Sequence, residues 1–158
     1  MSYVGFDCST QSFSVIVVDE DLEILYEKQL DFDSSLRHYG TTNGSLEFSE
    51  EGQESRTIRS PTMMWVEALF LLLDKMKEDG VSLETVKALS ASAQQHATVY
   101  WKTANFPHAL LSTPLPDPEE VFSIPLSPIW RDSSTTEECN KLLKAKTALW
   151  WRKTTGYL

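Results

Sequence analysis

The sequence predicts an α/β fold with a mixed sheet, and three features of its patterning carry that expectation. Three β-rich runs crowd into roughly the first thirty residues, with polar turns between them. A helical stretch with clear start and stop signals follows at 60–80, and another strand-like run begins at 86. Strands, a helix, a strand and a further helix in that order make a layered arrangement, because each helix needs a sheet face to cover.

The first two runs are "YVGF" at 3–6 and "FSVIVV" at 13–18, on either side of the polar turn "DCSTQS". A second turn, "DED" at 19–21, leads into "LEILYEKQL", where Leu22, Ile24 and Tyr26 alternate with polar neighbours. Two turns and three runs predict an antiparallel meander. Residues 33–60 show no sustained period and are rich in Ser, Thr, Gly and Glu, which predicts a long surface excursion. Ser60 is expected to cap the helix that follows, with Pro61 at its first position and Gly80 as its stop. The first half of that helix is apolar nearly all round, at Met64, Trp65, Ala68, Leu69 and Leu72, and so should be buried on more than one side.

"VKALSAS" at 86–92 contains good helix formers, but it is short and runs into the strand-like "TVYW"; it is read as a buried strand. Six of the seven prolines fall within 105–128, which predicts an irregular loop with the acidic "DPEE" at 117–120 as a solvated part of it. Ser134 or Thr135 then caps a last helix, with Glu137 or Glu138 in its first turn, running through "NKLLKAK". The aromatic "LWW" at 149–151 reads as core, or as core left exposed if the chain is incomplete. The whole order fits the opening half of a ribonuclease H-like or actin-like domain, in which a tight turn between the first two strands holds phosphate.

The bulk properties narrow the function classes. A length of 158 residues suits one domain with a real core. A net charge of −9 argues against a phosphate-backbone binder, which needs clustered Lys and Arg. Cys8 and Cys139 form no CxxC pair and no metal spacing, so reduced structural thiols are expected. No secretion signal is visible at the N-terminus, and the longest apolar run, "MMWVEALFLLL", is broken by Glu67 and short of the roughly 20 residues of a membrane span. The expectation is a soluble, cytoplasmic protein with no membrane, nucleic-acid or protein partner.

Three segments carry candidate chemistry. In "GFDCSTQS", Asp7 at the end of the first strand is a candidate to hold a magnesium ion, directly or through water. The turn residues Ser9, Thr10 and Gln11 are candidates to cradle phosphate oxygens with hydroxyls and N–H groups. An ordinary Asp-Ser turn explains the same residues. In "AQQHA", two amides and the His96 imidazole offer donors and acceptors together, as a polyhydroxylated ligand needs; a satisfied polar cluster at a strand end is the other reading. In "PIWRDSSTT", Asp132 reads as part of a helix cap and Arg131 as a solvated cation. There is no P-loop, no dinucleotide fingerprint and no evident hydrolytic triad.

Taken together, four segments resemble the N-terminal part of the xylulokinase branch of the FGGY family of carbohydrate kinases. They are "GFDCSTQS" at 5–12, "SPTMMWVEAL" at 60–69, "ALSASAQQHATVYW" at 88–101 and "PIWRDSSTTEEC" at 128–139, in the family's order and at its approximate spacing. The resemblance implies transfer of the γ-phosphate of ATP to the 5-hydroxyl of D-xylulose or a related pentulose, with Mg2+. It implies that Asp7 helps place the metal and phosphate, that Ser9, Thr10 and Gln11 form the phosphate turn, and that Gln95 and His96 bind the sugar. Residues 1–139 would be a partial sugar-binding domain and 140–158 a divergent tail.

The sequence also departs from the family pattern. Ala97 stands where the family usually has Gly, and its methyl should crowd the sugar or forbid a positive φ. Ser14 stands where relatives often carry Lys or Arg, and "ALWWRKTTGYL" replaces a segment with a further sugar-contacting Arg. The family's general base, an Asp, and its ATP-binding domain lie beyond residue 158. The chain is therefore expected to be truncated and inactive alone, with a non-catalytic sugar-binding or regulatory fragment as the alternative. A ribonuclease H-like nuclease ranks last, since no set of carboxylates for two metals is evident.

Overall fold

Strands β1 (Ser2–Cys8), β2 (Ser12–Val18) and β3 (Ile24–Asp31) form the expected meander, β2 running antiparallel to both of its neighbours. The computed structural model describes residues 1–48, 55–102, 108 and 110–145. A four-residue helix α1 (Phe32–Ser35), a 3-10 turn at Arg37–Tyr39 and the short strands β4 (Leu46–Glu47) and β5 (Ile58–Pro61) lead to the long helix α2 (Thr62–Glu78). Then come β6 (Val86–Ala93), β7 (Tyr100–Trp101), a one-turn helix α3 (Pro118–Val121), β8 (Phe122–Ile124), β9 (Leu126–Pro128) and helix α4 (Thr136–Ala145).

The principal sheet has the order β3-β2-β1-β6, with β6 parallel to β1, so it is mixed as expected. Two smaller pairings, β4-β5-β9 and β7-β8, complete the sheet structure. The chain divides into two compact units, one of Met1–Leu46 with Arg59–Trp130, the other of Glu47–Ile58 with the chain from Arg131 on.

The core of the first unit follows from the strand alternation. Val4 of β1, with Phe13, Val15 and Val17 of β2 and Leu30 of β3, turn to the same side and are buried against α2. The helix answers with Met64, Ala68, Leu72 and Met76, spaced four residues apart and fully buried. Each large member contributes roughly 1.5–3 kcal/mol through burial. Helix α2 ends as its sequence predicts: Gly80 has φ +83°, and Val81 N–H donates to the Met76 carbonyl while Gly80 N–H donates to that of Lys77.

Several expectations are corrected. Ser60 does not cap α2; it lies in β5, fully buried, and its hydroxyl donates to the Gly44 carbonyl at 2.7 Å. Pro61 is the N-cap and offers no side-chain hydrogen bond. The 33–60 excursion is not all surface, because Leu36, Ser45, Ile58 and Ser60 are buried. The strand at 86–92 forms but is not buried: Leu89 is 70% exposed, since β6 is an edge of the sheet and α2 packs over β2 and β3 instead. Its helix-favouring residues yield to pairing with β1, a long-range interaction that local propensity does not register.

Within the proline-rich stretch, "DPEE" is solvated as expected, but it starts a helix instead of continuing a loop. The Asp117 carboxylate accepts from Glu119 N–H, and Pro118 occupies the first position, where its missing N–H costs nothing. Pro125 and Pro128 sit between and at the end of short strands, as proline's missing donor requires. Residues 103–107 and the "LWW" cluster lie outside the described residues. In the second unit, helix α4 starts one residue after the expected cap; Asp132 accepts from the Ser134 N–H and hydroxyl and from Ile58 N–H.

Candidate functional site

The parallel pairing of β1 with β6 brings the two polar segments of the sequence together. Asp7 lies in register with Ser92, and Gln94 N–H donates to the Cys8 carbonyl at 2.8 Å, so the turn after β1 and the bend after β6 leave the same end of the sheet. Short hydrogen bonds order the acidic group there. Ser9 Oγ donates to Asp7 Oδ2 at 2.5 Å and Ser92 Oγ to Oδ1 at 2.6 Å. These two bonds, Ser9's first, hold the Asp7 carboxyl below the usual carboxylate range against a smaller opposing effect of burial.

The turn itself is tied down through Thr10. Its hydroxyl accepts from Trp130 Nε1 at 3.0 Å and donates to Gln94 Oε1 at 3.3 Å. The turn thus spends both hydroxyls on its own architecture, while the N–H groups of Thr10 and Gln11 donate to nothing among the described residues. Two adjacent unpaired N–H groups in a tight turn are suited to an anion. Ser9 N–H, by contrast, closes the hairpin onto the Ser12 carbonyl.

Ser9, Thr10, Gln94, Gln95, His96 and Trp130 line a hollow of about 340 Å3. The side chains of Gln95 and His96 are exposed and make no hydrogen bond among the described residues, so their donors and acceptors are available to a ligand. Gln94 differs, since its Nε2 is buried and unpaired among the described residues. A second hollow of about 420 Å3 crosses the open face of the sheet and includes Asp7, Ser14, Gln29 and Ser92. The Ser9–Asp7 hydrogen bond connects the two.

Of the sequence-derived candidates, Asp7, Ser9, Thr10, Gln95 and His96 are therefore gathered in one region. Gln11 lines neither hollow; its carbonyl accepts from Phe32 N–H and anchors the turn to α1. The left-handed backbone foreseen at position 97 falls one residue earlier, on His96 at φ +59°. Ala97 carries no positive φ, so its methyl imposes no such strain. Gln94 belongs to the polar "AQQHA" cluster, whereas Ser92 and Trp130 are not marked out by residue type. Ser92 takes its place from strand register, and Trp130 is 120 residues away from its partner Thr10 in the chain.

Comparison with known proteins shows what this arrangement resembles. The chain is 43% identical over 143 residues to xylulose kinase of Mus musculus, a match covering 88% of this chain and 25% of that protein. It is 38% identical over 150 residues to xylulose kinase 2 of Arabidopsis thaliana, covering 90% and 26%. With xylulose kinase of Saccharomyces cerevisiae it shares 34% identity over 148 residues, covering 88% and 23%. The chain thus spans about a quarter of the length of the curated relatives it matches. No protein-family model matches it.

Among solved structures, a xyloylose kinase from Brucella ovis superposes with a TM-score of 0.63 at 14% identity, over 99% of this chain and 26% of that one. Xylulose kinase from Rhodospirillum rubrum gives 0.62 at 12% identity, over 96% and 25%. The mixed α/β sheet is therefore the fold of these sugar kinases.

Proposed function

We propose that this chain, a homologue of xylulose kinases over 88% of its own length, carries the sugar-facing and phosphate-facing edge of an ATP-dependent carbohydrate kinase. The observation that supports this reading most directly is the pair Gln95 and His96, which make no hydrogen bond among the described residues and line the same hollow as the Ser9–Thr10 turn. A ring and an amide with free donors and acceptors suit the hydroxyls of a pentulose such as D-xylulose. The reaction is transfer of the ATP γ-phosphate to a sugar hydroxyl, and it belongs to a protein of the relatives' length. Residues 1–139 form the sugar-facing portion and 140–158 the part that departs from the family pattern.

In this reading Gln95 and His96 orient the sugar, and the N–H groups of Thr10 and Gln11 receive phosphate oxygens. The residues present suit Mg2+, a hard cation that takes oxygen ligands and keeps several waters. Asp7 is a carboxylate held ionised, flanked by the hydroxyls of Ser9 and Ser92. When bound, the ion neutralises charge on the transferring phosphate. The positioning of phosphate and sugar lowers the entropic part of the barrier, and proton removal from the sugar hydroxyl needs a general base, typically worth 10²–10⁴-fold.

Two measurements test the reading. D-xylulose should raise the melting temperature of this chain, and His96→Ala should abolish the rise while leaving the sugar-free melting temperature close to that of the parent. No shift at tens of millimolar sugar would reject the sugar assignment. In an ADP-release assay with D-xylulose and Mg-ATP, residues 1–158 alone should give no useful turnover; robust turnover would show that the chain needs nothing further.

A further inference from the structure

Against the 9–11 turn, at the Thr10 carbonyl, lies a second hairpin that the catalytic reading does not use. Thr42 and Ser45 bridge through Thr42 N–H to the Ser45 carbonyl and Ser45 N–H to that of Thr42, at 2.9 and 3.3 Å. Asn43 and Gly44 between them are both left-handed, at φ +53° and +71°. Asp33 gathers this hairpin. Its Oδ1 accepts from Thr41 Oγ1 at 2.7 Å and Gly44 N–H at 3.1 Å, and its Oδ2 from Asn43 N–H at 2.6 Å.

The hairpin presses on the turn at one place. A Cβ on Gly44 would collide with the Thr10 carbonyl oxygen and come within 2.9 Å of the carbonyl carbon, so the Gly44 backbone lies directly against that peptide. Gly44 cannot retreat, because its own carbonyl accepts from the buried Ser60 hydroxyl at 2.7 Å. A trans peptide is planar, with its C=O and N–H pointing in opposite directions. Bracing the Thr10 C=O therefore sets the direction of the Gln11 N–H, which, like that of Thr10, donates to nothing among the described residues. The next peptide is held as well, by Phe32 N–H donating to the Gln11 carbonyl.

We infer that Asp33 is a positioning residue: it fixes the 41–44 hairpin against the Thr10–Gln11 peptide and thereby aims the Gln11 N–H at an incoming phosphate oxygen. The inference rests on the reading of the turn as a phosphate site. An ionised carboxylate suits this task because three donors converge on it, and such charge-assisted bonds are shorter and stronger than neutral ones. Burial pushes the Asp33 carboxyl up, but the Thr41, Gly44 and Asn43 bonds together outweigh it and leave it below the ordinary value.

The test is a 15N NMR titration of residues 1–158 with inorganic pyrophosphate, read at the Gln11 amide. The comparison is Asp33→Asn against Asp19→Asn. Asp19 caps the opposite end of β2 with two backbone bonds, from Asp21 and Glu23 N–H, and does not reach the turn. Asp33→Asn should weaken pyrophosphate binding at Gln11 by about tenfold or more, and Asp19→Asn by less than about twofold, although both lower the melting temperature. Parent-like binding in Asp33→Asn overturns the inference.

If the parent Gln11 amide ignores pyrophosphate, the phosphate reading fails, and Asp33 is then judged from the ligand-free spectra. There Asp33→Asn must move the Gln11 resonance more than Asp19→Asn does, and equal or smaller movement overturns the inference. Should Asp33→Asn not fold, Thr41→Val removes one of the three bonds and must still weaken binding severalfold; no weakening counts against the role.

Discussion

The Thr10 hydroxyl accepts a hydrogen bond from the Trp130 indole at 3.0 Å, although 120 residues separate the two in the chain. That bond joins the first turn of the protein to the segment after β9, and Gln94 Oε1, accepting from the same hydroxyl, joins both to the bend after β6. Thr10→Val keeps the shape and deletes both bonds. It should cost about 1–2 kcal/mol, because Gln94 is left with no partner for either end of its amide, whereas Thr10→Ser should stay near the parent. Urea unfolding of the two variants measures this, and equal stability would show that the bonds contribute nothing.

Acid should destabilise the first unit through Asp7 and Asp33. Both carboxyls lie below their ordinary values in the folded chain, so the folded state binds their protons less readily than the unfolded state does. Their contribution is complete above the unfolded value of about 4 and is lost as pH falls through the lower folded values. Melting temperatures between pH 7 and 2 follow this loss. Ser92→Ala should lower the melting temperature at neutral pH, with the difference shrinking in acid as Asp7 protonates; a difference independent of pH would rule out the charged hydrogen bond as its source.

Two glycines with similar backbone angles should respond differently to alanine. Gly80 at φ +83° has nothing within 4 Å of a built Cβ, so Gly80→Ala meets only backbone strain of about 1 kcal/mol. Gly44 at φ +71° adds a collision with the Thr10 carbonyl, and Gly44→Ala should cost more than about 3 kcal/mol. Chemical denaturation of both variants provides the check. Comparable losses would mean that the hairpin yields without disturbing the turn.

At the bend after β6 the strained residue is His96, not Ala97. His96→Gly should therefore be more stable than Ala97→Gly by about 1 kcal/mol, since the first relieves a left-handed residue and the second only frees the unfolded chain. The same His96→Gly protein should lose its thermal response to D-xylulose. Equal stabilities of the two variants would contradict the backbone assignment.

What could be read from the linear chain was whatever rests on local pattern. β-rich runs separated by polar turns mark β1, β2 and β3, the apolar set Met64, Trp65, Ala68, Leu69 and Leu72 marks α2, and Gly80 marks its end. The candidate residues Asp7, Ser9, Thr10, Gln95 and His96 were also legible as segments, and the structure brings those segments to one end of the sheet. The Asn43-Gly44 pair is a local turn signal inside the irregular 33–60 stretch, and its two positive φ angles are what that pair favours.

Tertiary structure alone decided which groups remain free. Ser60 looked like a cap but is bound to Gly44, and β6 looked buried but is an edge. The hydroxyls of the turn looked like ligands but are held by Asp7, Gln94 and Trp130. Sequence determines which polar groups exist and where a strand or helix starts, because those depend on neighbours a few residues away. Whether a donor is already satisfied depends on partners up to 120 residues distant, and only the folded chain brings those within 3 Å.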